Sequence, residues 1–123
     1  VRATMTNIPL SDRCLGAVVS VSVMHHALKK DIVKSVDEVH RTLVKNGQFL
    51  VNLASVDDPR YGTGQVLEKN TYRILEGYED KQFGELHHFF TGREAQRLLK
   101  SFSKRQVTAL KDKPNYWKVR AVK

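Results

Sequence analysis

Apolar side chains crowd the stretch from Leu15 to Val23, with Val18, Val19, Val21 and Val23 supplying β-branched residues. Such residues suit a pleated strand. Because they fall on both faces, the pattern predicts a strand buried on both sides, as in a parallel sheet covered by helices. The period then changes. Ile32, Val36, Val39 and Leu43 recur at helical spacing while Lys34, Glu38, Arg41 and Lys45 fall opposite, which predicts an amphipathic helix from Asp31 to Asn46. Asn46-Gly47 ends it, glycine being suited to the left-handed position after a helix. Gln48 to Leu53 reads as a second apolar strand. A strand, helix and strand on short links form a βαβ unit, so the strands should run parallel with a right-handed crossover.

Periodicity fades between about residues 55 and 90, where Asp57-Asp58-Pro59, Gly62-Thr63-Gly64 and Glu76-Gly77-Tyr78-Glu79-Asp80 interrupt the chain. A segment of this length between core elements is usually a functional lid or disordered. Its aromatic residues Tyr61, Tyr72, Tyr78, Phe83, Phe89 and Phe90 favour a packed lid, with a short helix expected around Val66 to Leu75. Order returns at Thr91-Gly92-Arg93-Glu94, a capping-box pattern opening a helix that buries Ala95, Leu98, Leu99 and Phe102. Arg105 to Leu110 and Tyr116 to Val122 alternate as strands joined by a short turn, which makes an antiparallel hairpin. The predicted order is β-α-β-lid-α-β-β, a single α/β domain over residues 1–123.

Composition narrows the class. The 123 residues, 41% of them apolar, can bury a modest core. One cysteine, Cys14, rules out an internal disulfide framework and fits a reducing compartment. The opening VRATMTNIPL has neither a long apolar core nor a small-residue cleavage site, so no secretory signal is expected. No apolar run approaches the roughly 20 residues of a membrane helix. A cytoplasmic protein with no membrane partner is the expectation. The net charge of +8 is unevenly placed: ten Lys/Arg against Glu94 and Asp112 lie between Arg93 and Lys123, leaving residues 1–92 formally neutral. Such asymmetry suits either a solvated basic face or a surface for RNA or an anionic substrate.

This order and these motifs resemble the C-terminal half of a class I S-adenosyl-L-methionine-dependent methyltransferase, a Rossmann-like sheet. "NIPLSDRCLGAVVSVSVMHH" is similar to that family's fourth strand, with its Leu-Pro turn, its valine-rich core and its closing histidines. "VDEVHRTLVKNGQFLV" resembles the following helix and fifth strand, and the closing helix and hairpin resemble the last helix with strands six and seven. In that fold strand seven is antiparallel and inserts between strands five and six. "DDPRYGTGQVLEKNTY" and "GELHHFFTGREAQRLL" resemble the substrate-side insertion of some small family members. The resemblance places the family's glycine-rich cofactor loop, and the acidic residue that holds the ribose, before Val1. It also puts Thr4 where a carboxylate near the adenine is common, and Leu15-Gly16 where Phe-Asp is usual.

The resemblance implies S-adenosyl-L-methionine as cofactor. Ser20, Val21 and Ser22 would face its methionine moiety, Thr4 and Met5 its adenine, with His25 at the same pocket. His26, Asn52 and Tyr61 would meet the acceptor, one of the two adjacent histidines lining the pocket while the other packs. His87 or His88 would approach from the lid as general base, imidazole titrating near neutrality; alternatively His88-Phe89-Phe90 packs beneath the lid. No metal is expected, since adjacent histidines rarely ligate one ion and no nearby Cys, His or Asp completes a four-ligand set. Ligands in open α/β sheets bind outside the carboxyl ends of strands, at the point where strand order reverses. In this family that point lies between strands one and four, so the chain supplies one wall. An apolar first strand at a free edge is rarely left uncovered. An N-terminal half, a partner subunit or self-association is therefore expected to cover it. Two function classes follow: a methyltransferase, or its C-terminal half, acting on an O or N atom of a small molecule or RNA such as tRNA, and a non-catalytic methyltransferase-like scaffold.

Overall fold

A computed structural model describes residues 2–75, 84–110, 112 and 115–123. The strand expected from Leu15 forms as β1 (Leu15–Ser20), and α1 (Lys29–Thr42) leads into β2 (Leu43–Ala54). A meander of three short strands follows: β3 (Gln65–Glu68), β4 (Thr71–Ile74) and β5 (Glu85–His88). The chain closes with α2 (Gly92–Leu98), β6 (Lys104–Ala109) and β7 (Tyr116–Val122). The main sheet has the order β1-β2-β7-β6, with β1 parallel to β2 and β7 antiparallel to both β2 and β6. The last strand thus inserts between β2 and β6, as the resemblance implied. No helix among the described residues is long and apolar enough to cross a membrane.

One face of this sheet carries the core. Phe49, Val51 and Leu53 of β2 and Val119 and Ala121 of β7 point to the side on which Ile32, Val36 and Val39 of α1 and Ala95 and Leu99 lie. The period of 2 in the strands meets the period of 3.6 in the helices, so one apolar surface closes on the other. Thr91 caps α2 as its motif predicts, its hydroxyl accepting from the Glu94 amide at 3.1 Å. The far end of α1 is capped by Lys123, whose ammonium donates to the His40 and Leu43 carbonyls at 2.6 and 2.8 Å.

Four expectations need correction. First, β1 is not buried on both sides: Val19 is 64% and Val21 65% exposed. Only the face toward α1 is covered among the described residues, so the outward valines meet solvent. Second, β1 stops at Ser20 rather than Val23, because Ser22 adopts a left-handed φ of 54° that breaks the pleat. Third, α1 ends at Thr42, not Asn46. Leu43 is already extended and pairs with Leu15, while a bulge seats Asn46 at φ 66° inside β2. Leu43 thus serves the sheet rather than the helix, which its 3.6-residue spacing could not reveal. Fourth, the residues around 66–75 form a hairpin and not a helix. Asn70 takes φ 63° in the two-residue link between β3 and β4, the left-handed geometry that tight hairpins demand. Expectations involving residues 76–83, Tyr78 and Phe83 included, lie outside the described residues.

The meander seats on the end of β2. The Phe90 amide donates to the Ala54 carbonyl at 2.7 Å, and the Val56 amide donates to the Phe90 carbonyl at 3.1 Å. Ala54, Ile74 and Phe89 form a small second core there, flanked by Val56 and Tyr72. The described residues of the lid-like segment therefore form a small sheet attached where the two parallel strands end.

Candidate functional site at the carboxyl ends of the parallel strands

The carboxyl ends of β1 and β2 lie side by side, and two polar residues meet there. The Ser22 amide donates to Asn52 Oδ1 at 2.6 Å, and Asn52 Nδ2 lies 3.4 Å from Ser22 Oγ. The left-handed turn at Ser22 swings its amide across to the neighbouring strand. Two residues expected to serve cofactor and acceptor are thus in direct contact. Ser20 is half-buried, and Val21 faces solvent beside Leu50 in a shallow apolar cavity that also takes in Val19, Asn52 and Lys118. Thr4 and Met5 sit in the amino-terminal turn, where Thr4 Oγ1 lies 3.2 Å from Thr6 Oγ1 and Met5 packs against the main core.

After Ser22 the chain turns back and buries its histidines. His25 is 1% exposed and His87, from β5, is 2% exposed. Their ring centroids are 5.3 Å apart, and His26 lies 4.4 Å from His25 and 4.3 Å from His87. Burial, reinforced by the neighbouring imidazoles, lowers the His25 pKa to about 3. Burial, with His26 and Arg60 nearby, lowers that of His87 to about 4. Both rings are therefore neutral at physiological pH. His26 is more open; its Nδ1 lies 3.0 Å from the Leu86 carbonyl and 3.3 Å from a Glu85 carboxylate oxygen. Of the adjacent pair, His25 is packed inside and His26 lies nearer solvent.

His88 sits apart from this cluster. Its Nδ1 bonds the Thr71 hydroxyl at 2.5 Å and its Nε2 lies 2.8 Å from Glu94, which also receives Lys29 Nζ at 2.6 Å. Both ring nitrogens are engaged, so neither is free for a proton on an acceptor. Burial alone would raise the Glu94 pKa, but hydrogen bonds from His88 and Lys29 outweigh it and hold the carboxyl below its ordinary value. The network ties β4, β5, α1 and α2 together, and Phe89 and Phe90 beside it are fully buried. Tyr61 likewise serves the meander: its hydroxyl donates to Asn70 Oδ1 at 2.8 Å and its ring meets Tyr72 and Phe89 edge-on.

Sequence reasoning missed three members of this region. Asp58 is buried and its carboxylate pairs with Arg60 at 2.8 Å. Burial pushes the Asp58 pKa up, yet hydrogen bonds from the Arg60 side chain and backbone win and keep it below its usual value. Glu85 lies beside both His26 and His87, the latter at 3.8 Å. The Asp-Pro-Arg spacing and the Glu85-Leu86-His87 alternation were the available signals, but neither says which partner lies opposite.

A parallel pair with a crossover helix is extended by an antiparallel inserted strand, and a polar junction lies where the parallel strands end. Comparison with known proteins finds the same fold among methyltransferases. Residues 1–51 match the family described as methyltransferase domain. A SAM-dependent methyltransferase from Methanosarcina mazei superposes with TM-score 0.77 at 15% identity, covering 98% of this chain and 65% of its own. A Thermotoga maritima SAM-dependent methyltransferase, a possible histamine N-methyltransferase, gives TM-score 0.68 at 17% identity, covering 100% of this chain and 63% of its own. Burkholderia thailandensis 1,6-didemethyltoxoflavin-N1-methyltransferase, with bound 1,6-didemethyltoxoflavin and S-adenosylhomocysteine, gives 0.66 at 19% identity, covering 100% and 49%. The chain thus spans less than two thirds of the length of each, and at these identities the likeness is one of fold. No curated protein sequence matches it.

Proposed function

We propose that this chain forms the carboxyl-terminal wall of an S-adenosyl-L-methionine-dependent methyltransferase site acting on a nitrogen or oxygen atom of a small molecule. The observation that carries this is the Ser22–Asn52 junction at the carboxyl ends of neighbouring parallel strands, where open α/β sheets bind ligands. The residues fit the cofactor's chemistry. Ser20 and Ser22 offer hydroxyl groups to a charged amino-acid end, and Val21 and Leu50 offer apolar surface beside them. When bound, S-adenosyl-L-methionine supplies an already electrophilic methyl group. The protein's task is then chiefly to align the acceptor, a service worth several kcal/mol of barrier. Asn52, held by Ser22, is the residue placed to orient it.

The other wall comes from an amino-terminal half, a partner subunit or a second copy. The edge of β1, unpaired among the described residues, and the exposed valines beside it support this, since apolar edges are normally paired or covered. Calorimetric titration with S-adenosylhomocysteine tests the assignment. The chain joined to an upstream strand and glycine-rich turn should bind one equivalent, and Asn52→Ala, which releases the Ser22 turn facing the cofactor, should weaken that binding about tenfold. No heat from the joined protein would assign the chain to the scaffold class instead. Strongly salt-dependent binding of tRNA would move the acceptor from small molecules to RNA.

A further inference from the structure

We propose that His25, His26 and His87 form a binding site for a borderline transition-metal dication of the Zn(II) class, with Glu85 as the fourth ligand. This is independent of cofactor binding. One donor nitrogen from each histidine lies within 4.8 Å of the others. Nδ1 of His25 and Nδ1 of His87 are buried and have no hydrogen-bond partner among the described residues. Buried polar atoms are nearly always satisfied, so two orphaned imidazole nitrogens within one histidine cluster point to a missing partner.

The surroundings resemble the outer shell of a metal site. Ligating histidines commonly hold their second nitrogen against a carbonyl or carboxylate. His26 does this through Nδ1, with the Leu86 carbonyl at 3.0 Å, which leaves Nε2 for a metal. His25 Nδ1, by contrast, is buried and has no hydrogen-bond partner among the described residues. Metal–nitrogen bonds of about 2.1 Å in a tetrahedron set the donors about 3.4 Å apart, which small ring rotations supply. Glu85 is half-exposed, 3.8 Å from His87 Nδ1, and can swing onto the ion. The nearby guanidinium of Arg60 is neutralised by Asp58, so it does not repel a cation strongly. Three imidazoles and a carboxylate suit Zn(II) and Co(II) better than Ca(II) or Mg(II). Bound there, the ion would clip the turn after β1 to β5 and hold the meander on the main sheet.

The adjacency of His25 and His26, which argued against a metal, loses its force here. The turn after Ser22 tilts the two rings 53° to one another rather than setting them on opposite faces of a strand.

The full chain, stripped with chelator and titrated with Co(II) and then Zn(II), tests this. One ion per chain is expected, with intense tetrahedral ligand-field bands that Zn(II) abolishes. The paired change His26→Gln and His87→Gln should weaken Zn(II) uptake at least about tenfold, as losing first ligands must exceed outer-shell losses. His40→Gln, on α1, should leave it unchanged. A pale octahedral Co(II) spectrum would overturn the proposal, as would equal uptake by wild type and a folded double variant. If the double variant does not fold, the wild-type Co(II) spectrum alone decides.

Discussion

Single side chains at this site are governed by burial. His25 and His87 are neutral because charging them would strand a cation in the interior, and the result is a testable acid lability. Their folded pKa values of about 3 and about 4 lie below the ordinary 6.5. Above pH 6.5 neither state binds protons there, so these residues give stability no pH dependence. Below it the unfolded chain takes up protons that the folded chain refuses, and stability falls until the folded values are reached. Each histidine contributes a slope of up to about 1.4 kcal/mol per pH unit. Between pH 7 and pH 5.5 the pair should cost about 2 kcal/mol in the presence of chelator, read as a falling urea midpoint. An unchanged midpoint would mean that both rings stay hydrated.

Among the elements, the meander shows most clearly how local backbone chemistry selects structure. Periodicity around 66–75 allows a helix, but Asn70 and Gly64 settle the matter with left-handed φ values of 63° and 77°. A Cβ on Gly64 would collide with the Arg73 carbonyl of the neighbouring strand. Gly64→Ala should therefore destabilise by about 2–4 kcal/mol, combining a left-handed penalty with a steric one. Asn70→Gly should cost less than about 1 kcal/mol because glycine keeps the turn and loses only the Tyr61 hydrogen bond. Thermal unfolding of the two variants checks the order. Capping was legible at this scale: Thr91 and Glu94 meet as their spacing predicts. The boundary at Thr42 was not, since the pairing of Leu43 with Leu15 depends on a strand far away in the chain.

At the scale of the whole molecule, the main sheet has one covered and one bare face among the described residues. Val19, Val21 and Leu50 expose apolar surface on the bare side, next to Lys118 and Arg120 of β7. The basic carboxyl-terminal segment therefore contributes a cationic border to an apolar field. A surface of this kind is normally an interaction site. The paired change Val19→Lys and Leu50→Lys should alter folding stability by no more than about 0.5 kcal/mol per site. Sedimentation should show wild type associating with itself and the variant remaining monomeric. Association undiminished in the variant would place the interface elsewhere.

The sequence by itself determined the order of the main elements, the parallel pair, the closing hairpin and the cap of α2, because each rests on periodicity or on residues only a few positions apart. It also marked Ser22, Asn52 and the four histidines as chemically notable. Only the tertiary structure decided how they combine. Asn52 lies 30 residues from Ser22 and His87 some 60 from His26, and which nitrogens end up bonded, buried or orphaned depends on those long-range closures. His87 and His88, adjacent on β5, therefore part company: the pleat sends one to the histidine cluster and the other to Thr71 and Glu94.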